Sequence, residues 1–298
     1  MTRNELSVFV ISESTSSNKT MLSGLPKIFV AVVGTLLIGS TAWTQQVADK
    51  TSPLIIGETF TINSKILKET RRINVYSPPG YKPTSGAPIG VIYMPDGGIA
   101  EDFLHIAGLI QVSVGNETMR PFLLVGIENT ERRRDMTGPT DNAKDKTIAA
   151  RVGGSAAFRK FIRDELMPQI KSRYPTTDET AIIGESLAGL FVVETFLLEP
   201  DMFDTYIAID PSLWWNDHKL VDEAVARPRT RSKAGKSFYV VSSGDDTGEF
   251  TNRFTDSLAK SSGVRWHYEK MPEEKHSTIY HPAALKAFRW LFEPARAK

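Results

Sequence analysis

Residues 180–198 read TAIIGESLAGLFVVETFLL, and here an apolar strand pattern changes into an apolar helix pattern across a short turn. The pattern predicts a strand over Thr180–Ile183 and a helix over Leu187–Leu198. A strand, a sharp turn carrying a serine and a helix together are typical of a nucleophile elbow. The turn brings the two backbones close, so small residues are needed on both sides of Ser186. Gly184 and Ala188 meet that need, although the usual motif has glycine at the second position.

Ser186 is therefore the candidate nucleophile; the alternative is a serine that only caps the helix, the commoner role at such a position. A serine hydroxyl needs a base. His276 follows the last predicted strand, Val264–Met271, and precedes a helical pattern over Pro282–Phe292. Hydrolases with a nucleophile elbow carry their histidine in a loop after the last strand. The other histidines lie in a predicted strand or at predicted helices, and packing or surface roles are expected for them: His105, His218, His267 and His281.

The acid that orients the histidine is expected after the predicted strand Ser237–Ser242, where residues 244–249 read GDDTGE. Asp246 is the preferred candidate, with Asp245 and Glu249 as alternatives. A turn rich in Asp and Gly is also ordinary loop chemistry, so each of these carboxylates has a purely structural reading.

Two backbone N–H groups should bind the developing oxyanion. One is expected from Leu187, directly after the nucleophile. The other is expected from Gly97, or from its neighbour Gly98, in the loop after the predicted strand that ends at Met94. The alternative is that this Asp-Gly-Gly loop is only a turn.

The remaining chain alternates strand and helix patterns. Thr59–Leu67 and Arg71–Ser77 predict an antiparallel hairpin that ends at Pro78 and Pro79. Short apolar runs follow at Gly90–Met94, Phe122–Ile127, Thr180–Gly184, Thr205–Ile209 and Ser237–Ser242, and such runs are typical of parallel strands buried on both faces. A helix is predicted where apolar residues recur every four positions: Phe158, Ile162, Leu166 and Ile170. Alternating elements predict an α/β fold with a mostly parallel sheet and helices on both faces.

Composition narrows the function. Lys and Arg number 36 against 35 Asp and Glu in 298 residues, so a net charge of +1 gives no support for nucleic acid or anionic lipid as a partner. The chain has no cysteine, which excludes disulfides, thiolate metal sites and a cysteine nucleophile. The pair His276 and His281 lacks a carboxylate-bearing motif such as H-E-x-x-H, so no metal is predicted.

The amino-terminal region predicts export. Ile28–Gly39 is a run of 12 apolar residues preceded by Lys27 and followed by small residues up to Ala42, the layout of a signal peptide. We assign residues 1–42 to this signal peptide, with Met21 as a possible start, and residues 43–298 to a single domain in the periplasm or medium. A membrane anchor is the alternative, but a spanning helix needs about 20 apolar residues, so stable membrane insertion is not expected.

Several segments together resemble the putative-esterase family of α/β-hydrolases. They occur in the family's order: residues 69–81 (ETRRINVYSPPGY), 91–98 (VIYMPDGG), 125–137 (VGIENTERRRDMT), 182–191 (IIGESLAGLF), 209–215 (IDPSLWW) and the pair His276-Ser277. The resemblance runs from about Thr59 to Phe292 and is most marked for the enterobactin-type siderophore esterases, a branch beside esterase D-like enzymes, feruloyl esterases and mycolyltransferases.

The resemblance implies an α/β-hydrolase fold with Ser186 as nucleophile, His276 as general base and oxyanion donors near Gly97 and Leu187. Some siderophore esterases work with a Ser-His pair and no clear acid, which leaves Asp246 open. The family's R-x-R-D-like segment matches residues 132–135 and places Arg134 against an anionic or catechol part of a substrate; a solvated surface arginine is the alternative.

Trp214 and Trp215 offer flat apolar area for an aromatic acyl group, or core packing for one of them. The expected function is a serine esterase that hydrolyses a small-molecule carboxylic ester, such as a siderophore or aromatic-acyl ester, without a cofactor. An acyltransferase would use the same acyl-enzyme with an alcohol as acceptor. A non-catalytic ligand-binding protein and a peptidase are further alternatives, and the oligomeric state is not determined by these residues.

The signal segment predicts that protein recovered from its native host starts near residue 43 and fractionates with the periplasm or the medium. Mass spectrometry of the intact protein checks the start. A chain recovered in the membrane fraction with Ile28–Gly39 still attached would instead identify an anchor.

Overall fold

The computed structural model describes residues 51–82, 86–226, 235–246, 248–260 and 263–294. Within them, the strands of one sheet are β1 (Glu58–Ser64), β2 (Glu69–Tyr76), β3 (Ile89–Pro95), β4 (Phe122–Ile127), β5 (Thr176–Glu185), β6 (Thr205–Ile209), β7 (Lys236–Ser243) and β8 (Val264–Met271). The predicted signal peptide lies outside the described residues and stays a prediction. No helix in the described part of the chain is long and apolar enough to cross a membrane.

The sheet has the order β1-β2-β4-β3-β5-β6-β7-β8. Strands β1 and β2 form the leading antiparallel hairpin, and β2 is antiparallel to β4, whereas β3 to β8 are mutually parallel. The predicted α/β class, with a mostly parallel sheet and a leading hairpin, is thus confirmed. The first strand ends at Ser64 and not at Leu67, because the chain turns over the next four residues and Lys68 adopts a positive φ of 57°.

Helices cover both faces of the sheet. They are α1 (Phe103–Gly115), α2 (Arg132–Asp135), α3 (Ser155–Phe161), α4 (Met167–Arg173), α5 (Leu187–Leu198), α6 (Lys219–Ala226), α7 (Glu249–Ala259) and α8 (Tyr280–Leu291). A 3₁₀ turn lies at Asp145–Thr147, and a π-helical turn, Ile162–Leu166, joins α3 to α4. Residues Leu54–Lys298 form one compact unit.

The core consists of one apolar layer on each face of the sheet. On β3, Val91 and Tyr93 belong to the layer shared with α3, α5 and α7, whereas Ile92 and Met94 belong to the layer shared with α1 and α8. Successive strand side chains point to opposite faces, so a strand buried on both faces must be apolar throughout. This explains the continuous apolar runs in the sequence.

The four-residue spacing of apolar positions before β5 has a structural counterpart in the π turn. Phe158, Ile162, Leu166 and Ile170 are all fully buried. In an α-helix with 3.6 residues per turn, a spacing of four would carry these side chains gradually around the axis. A π turn holds more residues per turn, so it keeps the four on the face that packs against the sheet.

A buried ionic cluster joins the edge of the sheet to α2. The fully buried Arg71 on β2 donates through Nη1 to Asp135 at 2.6 Å, to Glu69 at 2.7 Å and to Thr130 at 2.5 Å. Arg134 donates to the same two carboxylates, to Asp135 at 2.6 Å and to Glu69 at 2.7 Å. Because buried charges need partners, this cluster fixes the position of α2 against β2.

We expect Asp135→Ala to lower the free energy of unfolding by about 3–5 kcal/mol, because it removes the most buried carboxylate that pairs with a fully buried guanidinium. The exposed ion pair of Asp178 with Lys171 offers a matched control, and Asp178→Ala should cost less than about 1 kcal/mol. Urea unfolding followed by circular dichroism measures both. Equal losses in the two variants would contradict the role given to the buried cluster.

Candidate functional site

The turn between β5 and α5 holds Ser186 in a strained backbone conformation, with φ 60° and ψ −119°. Its N–H donates to the carbonyl of Ile209 on β6 at 3.0 Å, which extends the ladder one residue past the end of β5. A Cβ added at Gly184 would lie 2.6 Å from the backbone of Ala188, so only glycine fits there. The alanine is tolerated at 188 because glycine stands opposite it. The turn thus has the shape expected of a nucleophile elbow.

His276 lies in the loop between β8 and α8, and its Nε2 is 3.0 Å from Oγ of Ser186. Its backbone N–H donates to the Asp245 carboxylate at 2.9 Å, which ties this loop to the loop after β7. The His276 side chain is about half exposed. The structure therefore brings together the serine and the histidine that the sequence singled out.

The carboxylate that contacts His276 is Asp210, and the prediction of Asp246 requires correction. Asp210 Oδ2 lies 2.6 Å from Nδ1 of His276. Asp210 directly follows β6, one strand earlier than expected. Its carboxylate is only 7 % exposed and accepts two hydrogen bonds from Ser243 at the end of β7, from N–H at 2.9 Å and from Oγ–H at 2.8 Å.

The three carboxylates considered from the sequence have other positions. Asp246 accepts from the N–H of Gly248 at 2.9 Å and from Oγ1 of Thr251 at 2.7 Å, so it organises the start of α7. Asp245 contacts the backbone of His276 but not its ring. Glu249 is the exposed first residue of α7. The Asp-Gly turn after β7 thus has the structural role that its composition allowed.

A sequence signal for Asp210 did exist. Asp210 is the second residue of IDPSLWW, one of the segments that carry the family resemblance. It directly follows an apolar strand, and it adopts φ 42°, a region that aspartate tolerates better than most residues. The sheet order places Asp210 at the site: β6 pairs between β5 and β7, so Asp210 lies between Ser186 and Ser243.

The electrostatics of the site suit a histidine base. Burial alone would raise the pKa of the Asp210 carboxyl, but the hydrogen bonds from His276 and Ser243 outweigh burial and leave this pKa below its usual value. The hydrogen bond to Asp210 in turn raises the pKa of His276, against the opposing effect of burial, and the nearby carboxylates of Glu185 and Asp245 raise it further.

The predicted oxyanion donors differ in availability. Leu187 is the first residue of α5, so its N–H has no intrahelical acceptor and lies directly beside the nucleophile. The N–H of Gly97 donates to the carbonyl of Ile127 at 3.0 Å, because the β3–β4 pairing continues past the end of the strands. The N–H of Gly97 thus already has an acceptor, and its role as an oxyanion donor stays a prediction. The N–H of Gly98 donates to the Glu101 carboxylate at 2.7 Å.

A cavity of about 390 Å³ has Asp210, Ser212 and His276 in its wall. Ser186 is not part of that wall, but its Oγ lies 3.3 Å from Oγ of Ser212. Trp214 is about half exposed and lines this cavity, and its role in binding substrate stays a prediction. The rings of His218 and Phe250 stack on the same wall, with centroids 3.2 Å apart and planes 4° from parallel. Trp215 is buried and donates its indole N–H to the carbonyl of Gly138 at 2.9 Å, so it belongs to the core.

Arg134 is not at the cavity, contrary to expectation. Its guanidinium is 13 % exposed and paired with Glu69 and Asp135 in the buried ionic cluster. The arginine of this segment that comes within electrostatic reach of the site is Arg132, which contacts Asp96 through Nε at 2.7 Å and through Nη2 at 2.9 Å. Among the residues that the structure describes, no group of three or more His, Asp or Glu side chains is arranged to hold a metal ion.

Comparison with known proteins identifies the family of the chain. The sequence model of the Esterase family, described as Putative esterase, matches residues 64–290. The chain is 26 % identical over 269 residues to the ferri-bacillibactin esterase BesA of Bacillus subtilis, an alignment covering 80 % of this chain and 90 % of that protein. It is 32 % identical over 168 residues to the siderophore triacetylfusarinine C esterase of Aspergillus fumigatus, covering 50 % of this chain and 53 % of that protein.

A solved structure supports the same relationship. The IroE-like serine hydrolase from Shewanella oneidensis superposes with a TM-score of 0.70 and 27 % identity, over 79 % of this chain and 80 % of that one. The family match and this structure agree on the α/β-hydrolase fold predicted from the sequence.

The contacts of His276 predict its titration behaviour. The hydrogen bond to Asp210 is the largest cause that raises the His276 pKa. Asp210→Asn weakens that bond and removes the negative charge, so the His276 pKa should fall. Asp246→Asn, which removes the same charge from a carboxylate bonded elsewhere, should change it little. NMR titration of the imidazole C–H resonances measures both variants. A fall in the Asp246 variant alone would contradict the assignment of Asp210.

Proposed function

Because the chain belongs to the putative esterase family and is a carboxylic ester hydrolase of the α/β-hydrolase fold, we propose that Ser186, His276 and Asp210 carry its reaction. The observation that supports this most directly is the continuous line of hydrogen bonds from Ser186 Oγ through both ring nitrogens of His276 to Asp210, with lengths of 3.0 and 2.6 Å. Nucleophile, base and orienting acid in this order form a charge-stabilised chain that activates a hydroxyl at neutral pH.

In the first half of the proposed reaction, His276 carries its proton on Nδ1, which donates to Asp210. Nε2 then accepts the proton of the Ser186 hydroxyl as Oγ attacks the ester carbonyl carbon. The N–H of Leu187 donates to the carbonyl oxygen as that oxygen becomes negatively charged. The Asp210 carboxylate stabilises the imidazolium, and this imidazolium gives the proton to the departing alcohol oxygen.

In the second half, water replaces the alcohol. His276 removes a proton from the water, the resulting hydroxide attacks the acyl carbon, and Ser186 leaves with the proton that His276 returns. On its strained backbone, Ser186 already has Oγ 3.0 Å from Nε2 of His276, so the serine is positioned for attack before substrate arrives. The reaction balances without a redox partner or a metal ion.

We further propose that the substrate is a siderophore-type or other aromatic-acyl ester. The cavity lined by His276 also carries a half-exposed indole at Trp214 and the stacked pair of His218 and Phe250, an aromatic wall suited to an aromatic acyl group. The named relatives are siderophore esterases, and this supports the same substrate class.

Ser186→Ala should lower ester hydrolysis by several orders of magnitude, because it removes the atom that forms the covalent intermediate. His276→Ala should lose nearly as much, and the double variant should lose little more, since the two residues act as a unit. Initial rates on short p-nitrophenyl, feruloyl and siderophore esters, measured with the purified chain from residue 43, give these values.

The matched control is Ser277→Ala, which changes a neighbouring serine outside the proposed hydrogen-bond chain and should keep most activity. Mass spectrometry after treatment with a serine-directed phosphonate should find the adduct on Ser186. Substantial hydrolysis by the Ser186 variant, or an adduct on another residue, would contradict the proposed mechanism. Products that shift entirely to a transfer ester on addition of an alcohol would instead favour an acyltransferase.

A further inference from the structure

A second carboxylate reaches the ring nitrogen of His276 that faces Ser186. Glu185 is the last residue of β5, and its Oε1 lies 3.2 Å from Nε2 of His276. The same Nε2 is 3.0 Å from Oγ of Ser186. The Glu185 side chain is only 15 % exposed, so solvent does not readily replace this contact. The proposed mechanism gives Glu185 no part.

The geometry creates a competition, because Nε2 has either one lone pair or one hydrogen. Nδ1 already contacts Asp210 at 2.6 Å. When Nε2 carries a lone pair, it can accept the Ser186 proton. When Nε2 carries a proton, the ionised Glu185 accepts it; when Glu185 itself is protonated, its O–H can donate to the Nε2 lone pair. In both of the latter states, the lone pair is unavailable to Ser186.

We propose that Glu185 is a positioning residue that holds a proton against Nε2 of His276 and thereby sets the pH at which the histidine becomes available as a base. This inference rests on the proposed function, because it assumes that His276 must accept the Ser186 proton. While Glu185 and His276 share one proton, Nε2 cannot accept the proton of Ser186. The site becomes active when that proton passes to water, which leaves neutral His276 and ionised Glu185.

The charged groups around Glu185 and His276 support a positioning role for Glu185. The groups that face His276 are Asp210 after β6, Asp245 after β7 and Glu185 itself. Those that face Glu185 are His276, Arg132 on α2, Asp96 after β3, Asp102 before α1 and the phenol of Tyr280 on α8. The only cation among them apart from His276 is Arg132, and its guanidinium is already bound through two nitrogens to Asp96. His276 is therefore the nearest cation that Glu185 can hold.

The charges of Glu185 and His276 influence each other's pKa. Burial raises the pKa of Glu185 to about 7, and the charges of His276 and Arg132 only partly oppose it. The pKa of His276 is also raised, chiefly by its hydrogen bond to Asp210. Removing the carboxylate at 185 removes a charge that favours the imidazolium, so the His276 proton should leave at lower pH. The acid limb of the rate profile should then move to lower pH.

The test compares kcat/KM from pH 5 to 9 for the unmodified chain, Glu185→Gln and Glu185→Ala. We expect the ratio of kcat/KM at pH 6 to its alkaline plateau to rise about five- to tenfold in both variants, because removing an opposite charge within about 4–6 Å lowers the pKa of an imidazole by about one. The ratio is the readout because Glu185 also attracts the imidazolium formed during attack, so the plateau changes as well. Glu128→Gln, a partly exposed carboxylate paired with Arg72, is the matched control and should leave the ratio unchanged.

NMR titration of His276 gives a second readout that does not depend on activity. The imidazole should titrate at lower pH in both Glu185 variants, and in the unmodified chain the labelled Glu185 carboxyl carbon should show an inflection shared with His276. That last measurement remains decisive if neither variant folds. A Glu185 carboxyl that titrates independently of His276, or an unmoved acid limb in a folded variant, would overturn the inference. Activity retained by Ser186→Ala would instead overturn the proposed function.

Discussion

The backbone of Ser186 is held at positive φ, a conformation that costs a non-glycine residue on the order of 1–3 kcal/mol, and its surroundings must hold it there. Its N–H is fixed by Ile209, and its carbonyl accepts from the N–H groups of Leu190 at 2.9 Å and Ser212 at 3.0 Å. A Cβ at Gly189 would lie 3.0 Å from the Ile209 carbonyl, so the start of α5 packs directly on the end of β6. The strain of one residue is thus offset by contacts from β6, the loop that follows it and the first turn of α5.

The same strand ends also supply the other site residues. Because β5, β6 and β7 are adjacent and parallel, their carboxyl ends lie side by side at one edge of the sheet. The Asp210 N–H donates to the Val241 carbonyl at 2.8 Å, which continues the ladder one residue beyond β6, as the Ser186 N–H does beyond β5. Ser243 then binds the Asp210 carboxylate. An open α/β sheet binds ligands at this edge, since loops there can approach from several strands at once.

Two groups of charged residues in this molecule have different consequences. Around Arg71 and Arg134, cations and carboxylates meet in a buried network that joins β2 to α2. Around His276, two carboxylates face one imidazole from opposite ring nitrogens. In the first arrangement each charge has an oppositely charged partner, so the loss of one partner would leave a buried charge unpaired and destabilise the fold. The second leaves one proton able to move, which is the property that acid–base chemistry requires.

The sequence by itself determined the sheet-forming runs, the alternation of strands and helices along the chain, the elbow at Ser186 and the position of His276 in the chain. These depend on local patterns: apolar periodicity, small residues around a turn and a loop between a strand and a helix. Only the tertiary structure decided that Asp210, and not Asp246, faces His276, that Arg134 is buried and that Glu185 reaches Nε2. Each of these depends on which strands are neighbours and which way a side chain points. Segments far apart in the chain decide such contacts, and the local pattern around any one residue does not contain that information.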